Sequence, residues 1–323
     1  MTKKIFKHAK KLLPFIGIAI LIYTIYTLDI EKIKNAFFSI KPIFIILALS
    51  LTLPRVLIRN YAWQLIQKEH NIKLTFFQSL KIFLMGYFYG SITPGYLGQL
   101  MRVPYMKEKT GEPYGKLFVN SSIESIVHSS SIYITMIIGA LLVVETFPGI
   151  FLIAIVWIII LASIIIYFIK KERGEKLFYI LIKYLIPKKL KHNLNRFVQT
   201  FYNDFPKINR LIIPFILGIF TWIIIFSQEY IIVIALGLNI PYIWFLLVFP
   251  LANAAGFLPI TFAGLGTREL AAIVLFSTLF AVAEEKIFVV SLLGFIITDL
   301  FTGFIGFLAT LTEASEKHKG FIS

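Results

Sequence analysis

Residues 76–102 read FFQSLKIFLMGYFYGSITPGYLGQLMR, an apolar run broken at Pro94 and Gly95. The topology turns on whether this stretch crosses a membrane or returns to the side it left. That a membrane is involved follows from composition. The chain of 323 residues is 58% hydrophobic and only 15% charged, with a mean hydropathy of +0.82. A soluble domain carries about a quarter charged residues. About 20 consecutive apolar residues are needed to cross a hydrocarbon core as a helix. Stretches near 12–28, 43–66, 117–144, 151–169, 211–236 and 287–311 meet that requirement. The stretches 76–92 and 242–282 are apolar but contain or adjoin Pro/Gly breaks.

Charge decides the reading of the break. Lys3, Lys4, Lys7, Lys10 and Lys11 place the amino terminus in the cytoplasm, because Lys and Arg accumulate on that side. No small-residue cleavage site follows the first apolar run, so it reads as a retained helix. If 76–92 crossed fully, the segment 170–210 would lie outside with eleven Lys and Arg against Glu172, Glu175 and Asp204. If 76–102 instead dips in and returns, that segment lies inside and every charge asymmetry is satisfied. The same reasoning makes 242–282 a second hairpin that starts from the outer face. It leaves Glu284 and Glu285 external and the C-terminus cytoplasmic.

The expected fold class is therefore an all-α integral membrane protein with about six full crossings and two re-entrant helical hairpins. It forms one polytopic domain over 1–323. A first helix and external loop (1–42) precede a helix–hairpin–helix unit (43–144), a linking helix (145–169) and a basic cytoplasmic segment (170–210). An inverted second unit (211–311) and a cytoplasmic tail (312–323) complete it. Inverted repeats with broken helices near the midplane recur in transporters. Within 170–210, Leu190, Leu194, Phe197 and Phe201 form an apolar stripe suited to lying on an anionic leaflet.

Charges inside spans are costly and mark candidate sites. Arg55 sits midway along 43–66. Arg59 shares its helix face but is near enough to the span's end to snorkel. On 117–144, Asn120, Glu124, His128, Ser131 and Thr135 form one polar face, with Glu124 placed to pair with Arg55 or Arg102. In the second unit, Arg268 and Glu269 follow the break and Asp299 lies midway along 287–311. Glu229 is close enough to a span end to be interfacial.

Gly98 marks the first break, and Gly264 and Gly266 the second. The breaks suggest half-helix N-termini with free N–H groups, an anion site beside Arg102 and Arg268. The ligand so implied is a phosphate such as a lipid headgroup. Gly264-Leu-Gly266 lacks the remainder of a dinucleotide fingerprint, and the chain has no Walker A sequence. The absence of cysteine excludes disulfides and thiolate metal sites, and no further His cluster joins Glu124 and His128 to hold a metal. No cofactor is expected. The formal charge of +15 flanks apolar runs, which points to anionic lipid as partner and away from nucleic acid.

The stretch Leu258-Pro-Ile-Thr-Phe-Ala-Gly-Leu-Gly-Thr-Arg-Glu269 resembles the second-half signature of the lysyl-phosphatidylglycerol synthase/flippase membrane region, the flippase-like UPF0104 type. In the first half, Pro94, Gly98 and Arg102 match that family's Pro-x-x-x-Gly-Glu-x-x-Arg pattern, with Gln99 where the family often has Glu. Glu124 fits the acidic position of the following helix. The resemblance covers nearly the whole chain. It implies re-entrant helices around a polar cavity and movement of lipids between leaflets of the plasma membrane. The expected role is transport without catalysis. The alternatives are an intramembrane enzyme acting on a lipid phosphate and a non-transporting scaffold for a partner synthase.

Overall fold

The computed structural model describes residues 17–153, 155, 156, 159, 163, 206–256 and 264–320. The basic segment 170–205, most of the helix expected over 151–169 and the second break at 257–263 lie outside the described residues. Those described are helical, with no strand among them. Four helices are long and apolar enough to cross a membrane: Pro42–Glu69, Tyr114–Leu142, Ile208–Ala235 and Glu284–Glu313. The first of these, at 28 residues, measures about 42 Å and exceeds a hydrocarbon core.

In chain order the helices are α1 (Gly17–Thr27), α2 (Ile30–Ser39), α3 (Pro42–Ser50), α4 (Thr52–Glu69) and α5 (Phe76–Ser91). A 3₁₀ helix (Pro94–Met101) leads into α6 (Arg102–Thr110) and α7 (Tyr114–Leu142). After the undescribed stretch come α8 (Ile208–Ala235), α9 (Tyr242–Gly256), α10 (Thr267–Phe280) and α11 (Glu284–Phe295). A π-helical turn (Ile296–Leu300) joins α11 to α12 (Phe301–Gly320).

The external loop expected before residue 42 is corrected by α2. Asp29 caps it, accepting hydrogen bonds from the N–H groups of Glu31 (3.0 Å) and Lys32 (3.3 Å). The break at Leu51 has its cause in Pro54, whose missing N–H and ring disturb the bond to Ser50.

Contacts link residues that flank each broken stretch. Lys81, before the first break, and Lys109, after it, both reach the Glu313 carboxylate, at 2.7 and 2.9 Å. Around the second, Lys286 after α10 donates 3.1 Å to the carbonyl of Leu236 before α9. The first long helices of the two halves run antiparallel. Gln228 of α8 donates to Ala48 O and Thr52 Oγ1 at one end, while Arg210 meets Glu69 (3.9 Å) at the other. Glu313→Gln should therefore lower stability by about 1 kcal/mol or less, since both lysines are partly exposed. The difference should shrink in high salt. Thermal unfolding in detergent at low and high salt checks this.

The halves dock by exchange. The first arm of each hairpin packs on the last helix of the other half: α5 on α12, and α9 on α7. Each contact closes over a glycine. A Cβ on Gly306 would lie 2.0 Å from Leu84 O, and one on Gly139 would lie 1.8 Å from Leu247 O. Small residues let membrane helices approach to backbone distance. Around these contacts, Phe226, Phe245, Phe249 and Phe276 fill one core, and Trp63, Phe83, Met106 and Leu117 a second. Many large apolar side chains, including Ile43, Ile46, Leu53, Ile212 and Phe304, face outward, as lipid contact requires.

Candidate functional site

A layer of buried charge lies between the halves, built from four groups. Arg59 of α4 and Arg102 of α6 grip the two oxygens of Glu124 on α7, at 3.1 and 2.6 Å. Arg102 also donates to Ser121 O and Ser125 Oγ, both at 2.9 Å, and its guanidinium lies 4.8 Å over the Trp63 ring. The second hairpin repeats the device. Arg268 binds Glu269 at 2.8 Å, donates to Ser291 Oγ and O, and lies over the Phe295 ring. In each half, the arginine after the break is fixed to a carboxylate and to the carbonyl of a serine on the following long helix.

The third group depends on the π turn. Its wider coil sets Asp299 inward, and π turns often mark functional positions. Tyr87 and Tyr96 donate to Asp299 Oδ1 at 3.0 and 2.8 Å, and Thr298 Oγ1 donates to Oδ2 at 2.9 Å. Arg55 uses one nitrogen on Thr298 O, at 2.8 Å, and on Thr302 Oγ1. The fourth group is His128, stacked 4.9 Å from Trp222 at 8°. Seven buried side-chain atoms among the described residues have no hydrogen-bond partner, and three of them, Arg55 Nε, Glu229 Oε2 and His128 Nδ1, belong together. Such atoms are costly in a dry interior.

All three orphans belong to residues that line one cavity of about 440 Å³. Arg55, Arg59, His128, Glu229, Arg268 and Asp299 give it a polar floor, with Tyr87, Tyr96, Gln99 and Asn253 alongside. Leu97, Leu100, Ile126 and Ile225 supply apolar lining, and Leu97 and Ile126 are 69% and 57% exposed.

Of the residues singled out in the sequence, Arg55, His128, Arg268 and Asp299 come together on the cavity. Arg102, Glu124 and Glu269 are not among its lining residues: Arg102 and Glu124 hold each other, and Glu269 holds Arg268. Asn120 accepts from Trp63 Nε1 at 2.9 Å and contacts His70 at 3.0 Å, away from the cavity. The glycines serve packing. A Cβ on Gly98 would meet Tyr89 O at 2.0 Å, and one on Gly266 would meet Gly17 O at 2.1 Å. Gly264 (φ 82°) and Gly266 (φ 89°) take left-handed backbone.

Of the two partners expected for Glu124, Arg102 is the one it takes, with Arg59 as a second. Three expectations are corrected. Arg59 does not snorkel, because Glu124 and the Phe83 ring hold it inside. Glu229 is not interfacial: Gly294 of α11 leaves room for its carboxyl within the bundle. The Gly266 N–H expected to be free is taken by Glu269. Tyr87 and Tyr96 were not foreseen, since lone tyrosines in apolar runs carry no spacing signal. No group of three His, Cys, Asp or Glu suited to a metal occurs among the described residues.

The fold and this polar interior define an all-helical integral membrane protein with a charged cavity inside its helical bundle. The chain belongs to the lysylphosphatidylglycerol synthase TM region family, whose pattern matches residues 12–306. It is 24% identical over 304 residues to a UPF0104 membrane protein of Pyrococcus horikoshii, covering 87% of this chain and 90% of that one. A UPF0104 membrane protein of Methanocaldococcus jannaschii is also 24% identical, over 310 residues, covering 91% and 92%.

Proposed function

We propose that this protein moves a phosphate-bearing polar lipid between the leaflets of the plasma membrane. The observation that carries this reading is the cavity, where a buried guanidinium with an unused Nε faces space bounded partly by exposed apolar side chains. A headgroup can enter such a space while its acyl chains stay in lipid. In this reading, six crossings and two re-entrant hairpins form inverted halves, with both termini cytoplasmic. The Lys81–Glu313–Lys109 and Leu236–Lys286 ties and the antiparallel α4 and α8 support it. So does the cytoplasmic excess of Lys and Arg. Irregular backbone at membrane depth is tolerated where it lines a cavity, as Tyr96 to Leu100 do.

Arg55, with Arg59 and Arg268 on the same cavity, receives the phosphate. Arg102, Glu124 and Glu269 hold that set in place. No bond is made or broken, and an ion gradient or a partner such as a lipid or glycan synthase supplies any driving force. The unpartnered Nδ1 of His128 favours a second reading, an enzyme acting on a lipid phosphate. Reconstitution into liposomes with acyl-chain-labelled lipids and an impermeant reductant separates the two. Wild type should expose inner-leaflet label, and Arg55→Gln should slow this at least about tenfold, the scale of one charge-assisted hydrogen bond. No difference from empty liposomes across anionic, zwitterionic and polyprenyl-phosphate lipids, with and without a proton gradient, would sink the transport reading.

A further inference from the structure

The pairing of buried charges leaves a remainder. Glu124 is held by Arg59 and Arg102, Glu269 by Arg268, Ser291 and the Gly266 N–H, and Asp299 by three hydroxyls. Asp299 has no ionic partner either, but its oxygens are taken by those hydroxyls. One guanidinium and one further carboxylate on the cavity have no ionic partner among the described residues and are less fully bonded: Arg55, 3% exposed, and Glu229, 2% exposed. Each keeps a buried atom with no hydrogen bond, Arg55 Nε and Glu229 Oε2. Opposite charges in a low-dielectric interior attract strongly, yet these two are not joined. They stand apart across a shared space.

Both touch one continuous helical stretch. Glu229 packs on Gly294 of α11, where a Cβ would come 2.7 Å from its Oε1. Arg55 bonds Thr298 O, four residues on. A phosphate and an amine joined by a two-carbon link can reach a donor and an acceptor that face one cavity in this way.

We infer that the cavity selects a net-neutral phospholipid headgroup with a primary amine, its phosphate on Arg55 and its ammonium on Glu229. The inference rests on the transport reading only in assigning the ligand to a lipid. A simple anion would satisfy Arg55 and leave Glu229 facing a second negative charge. A zwitterion completes both and brings no net charge into the bundle. Glu229 Oε2 is an acceptor in need of an N–H, which a primary ammonium offers and a quaternary one does not. Phosphatidylethanolamine is therefore the fitting probe, ahead of phosphatidylcholine and phosphatidylglycerol.

Native mass spectrometry of the purified full chain in mixed micelles, with the three lipids at matched acyl chains, tests this. Wild type should retain phosphatidylethanolamine about tenfold over the other two, the worth of one charge-assisted hydrogen bond. Glu229→Gln should abolish that preference while keeping phosphatidylglycerol binding, and Arg55→Gln should weaken all three together. Wild type binding phosphatidylglycerol as well, or Glu229→Gln keeping the preference, would overturn the proposal. If Glu229→Gln does not fold, the wild-type ranking alone decides it. Soluble phosphoethanolamine displacing the lipid at equal concentration would overturn the assignment to a lipid. Absence of flipping in liposomes with the preference intact would count against transport and leave this inference standing.

Discussion

Glu124→Gln will lower the stability of the protein by about 3–5 kcal/mol, the usual cost of breaking a buried ion pair from one side. The carboxylate bonds both Arg59 and Arg102, and its removal leaves two guanidiniums in the bundle interior without the acid that holds them. Arg102→Met should cost less, although it removes the larger set of hydrogen bonds. After that change Glu124 and Arg59 remain a neutral pair, while Glu124 Oε2, Ser121 O and Ser125 Oγ lose a donor. Thermal unfolding of the purified variants in detergent, followed by retention on size exclusion, measures the order. Finding Arg102→Met the more damaging change would mean that the hydrogen bonds and Trp63 stacking outweigh the charge balance.

Gly306→Ala should be nearly as damaging, by a different route. The added methyl would sit 2.0 Å from Leu84 O and 3.0 Å from Phe88 Cβ, so α5 and α12 must move apart along their contact. Overpacking of this kind costs about 1–3 kcal/mol, and more when backbone is the obstacle. Gly149→Ala is the matched control, because nothing lies within 4 Å of where its methyl would sit. Unfolding temperatures of the two variants should differ by several degrees, with Gly149→Ala at wild type. Equal temperatures would show that the α5–α12 contact yields without loss.

The apolar runs exposed the long helices in the sequence, because a bilayer demands length and hydrophobicity and nothing subtler. The charge asymmetry around 76–102 led to the expected return of the chain, and two lysines flanking that break meet on Glu313. Charge at mid-span marked Arg55 and Asp299, and helical spacing placed His128 on one face with Glu124. It could not show which face meets which. Arg59 reads as reaching water because its partner Glu124 lies on another helix, 65 residues away. Glu229 reads as interfacial because its depth depends on a glycine on a different helix. Asp29 as an N-cap was legible and overlooked, with Ile30, Ile33 and Phe37 at helical spacing behind it. The π turn has no sequence signature, and with it went the foresight of Tyr87 and Tyr96 as partners of Asp299.

The exchange of hairpin arms between the halves also sets conditions on biosynthesis. When a ribosome has completed α7, the face of α5 around Leu84 has no partner, because the helix bearing Gly306 is still more than a hundred and fifty codons away. The first half must wait in the bilayer, or in the insertion machinery, with that seam open. Native packing then closes in one late step, when the last helix arrives and docks. Any pause or truncation before that helix would leave a half-built molecule whose exposed backbone carbonyl is a ready target for quality-control proteases.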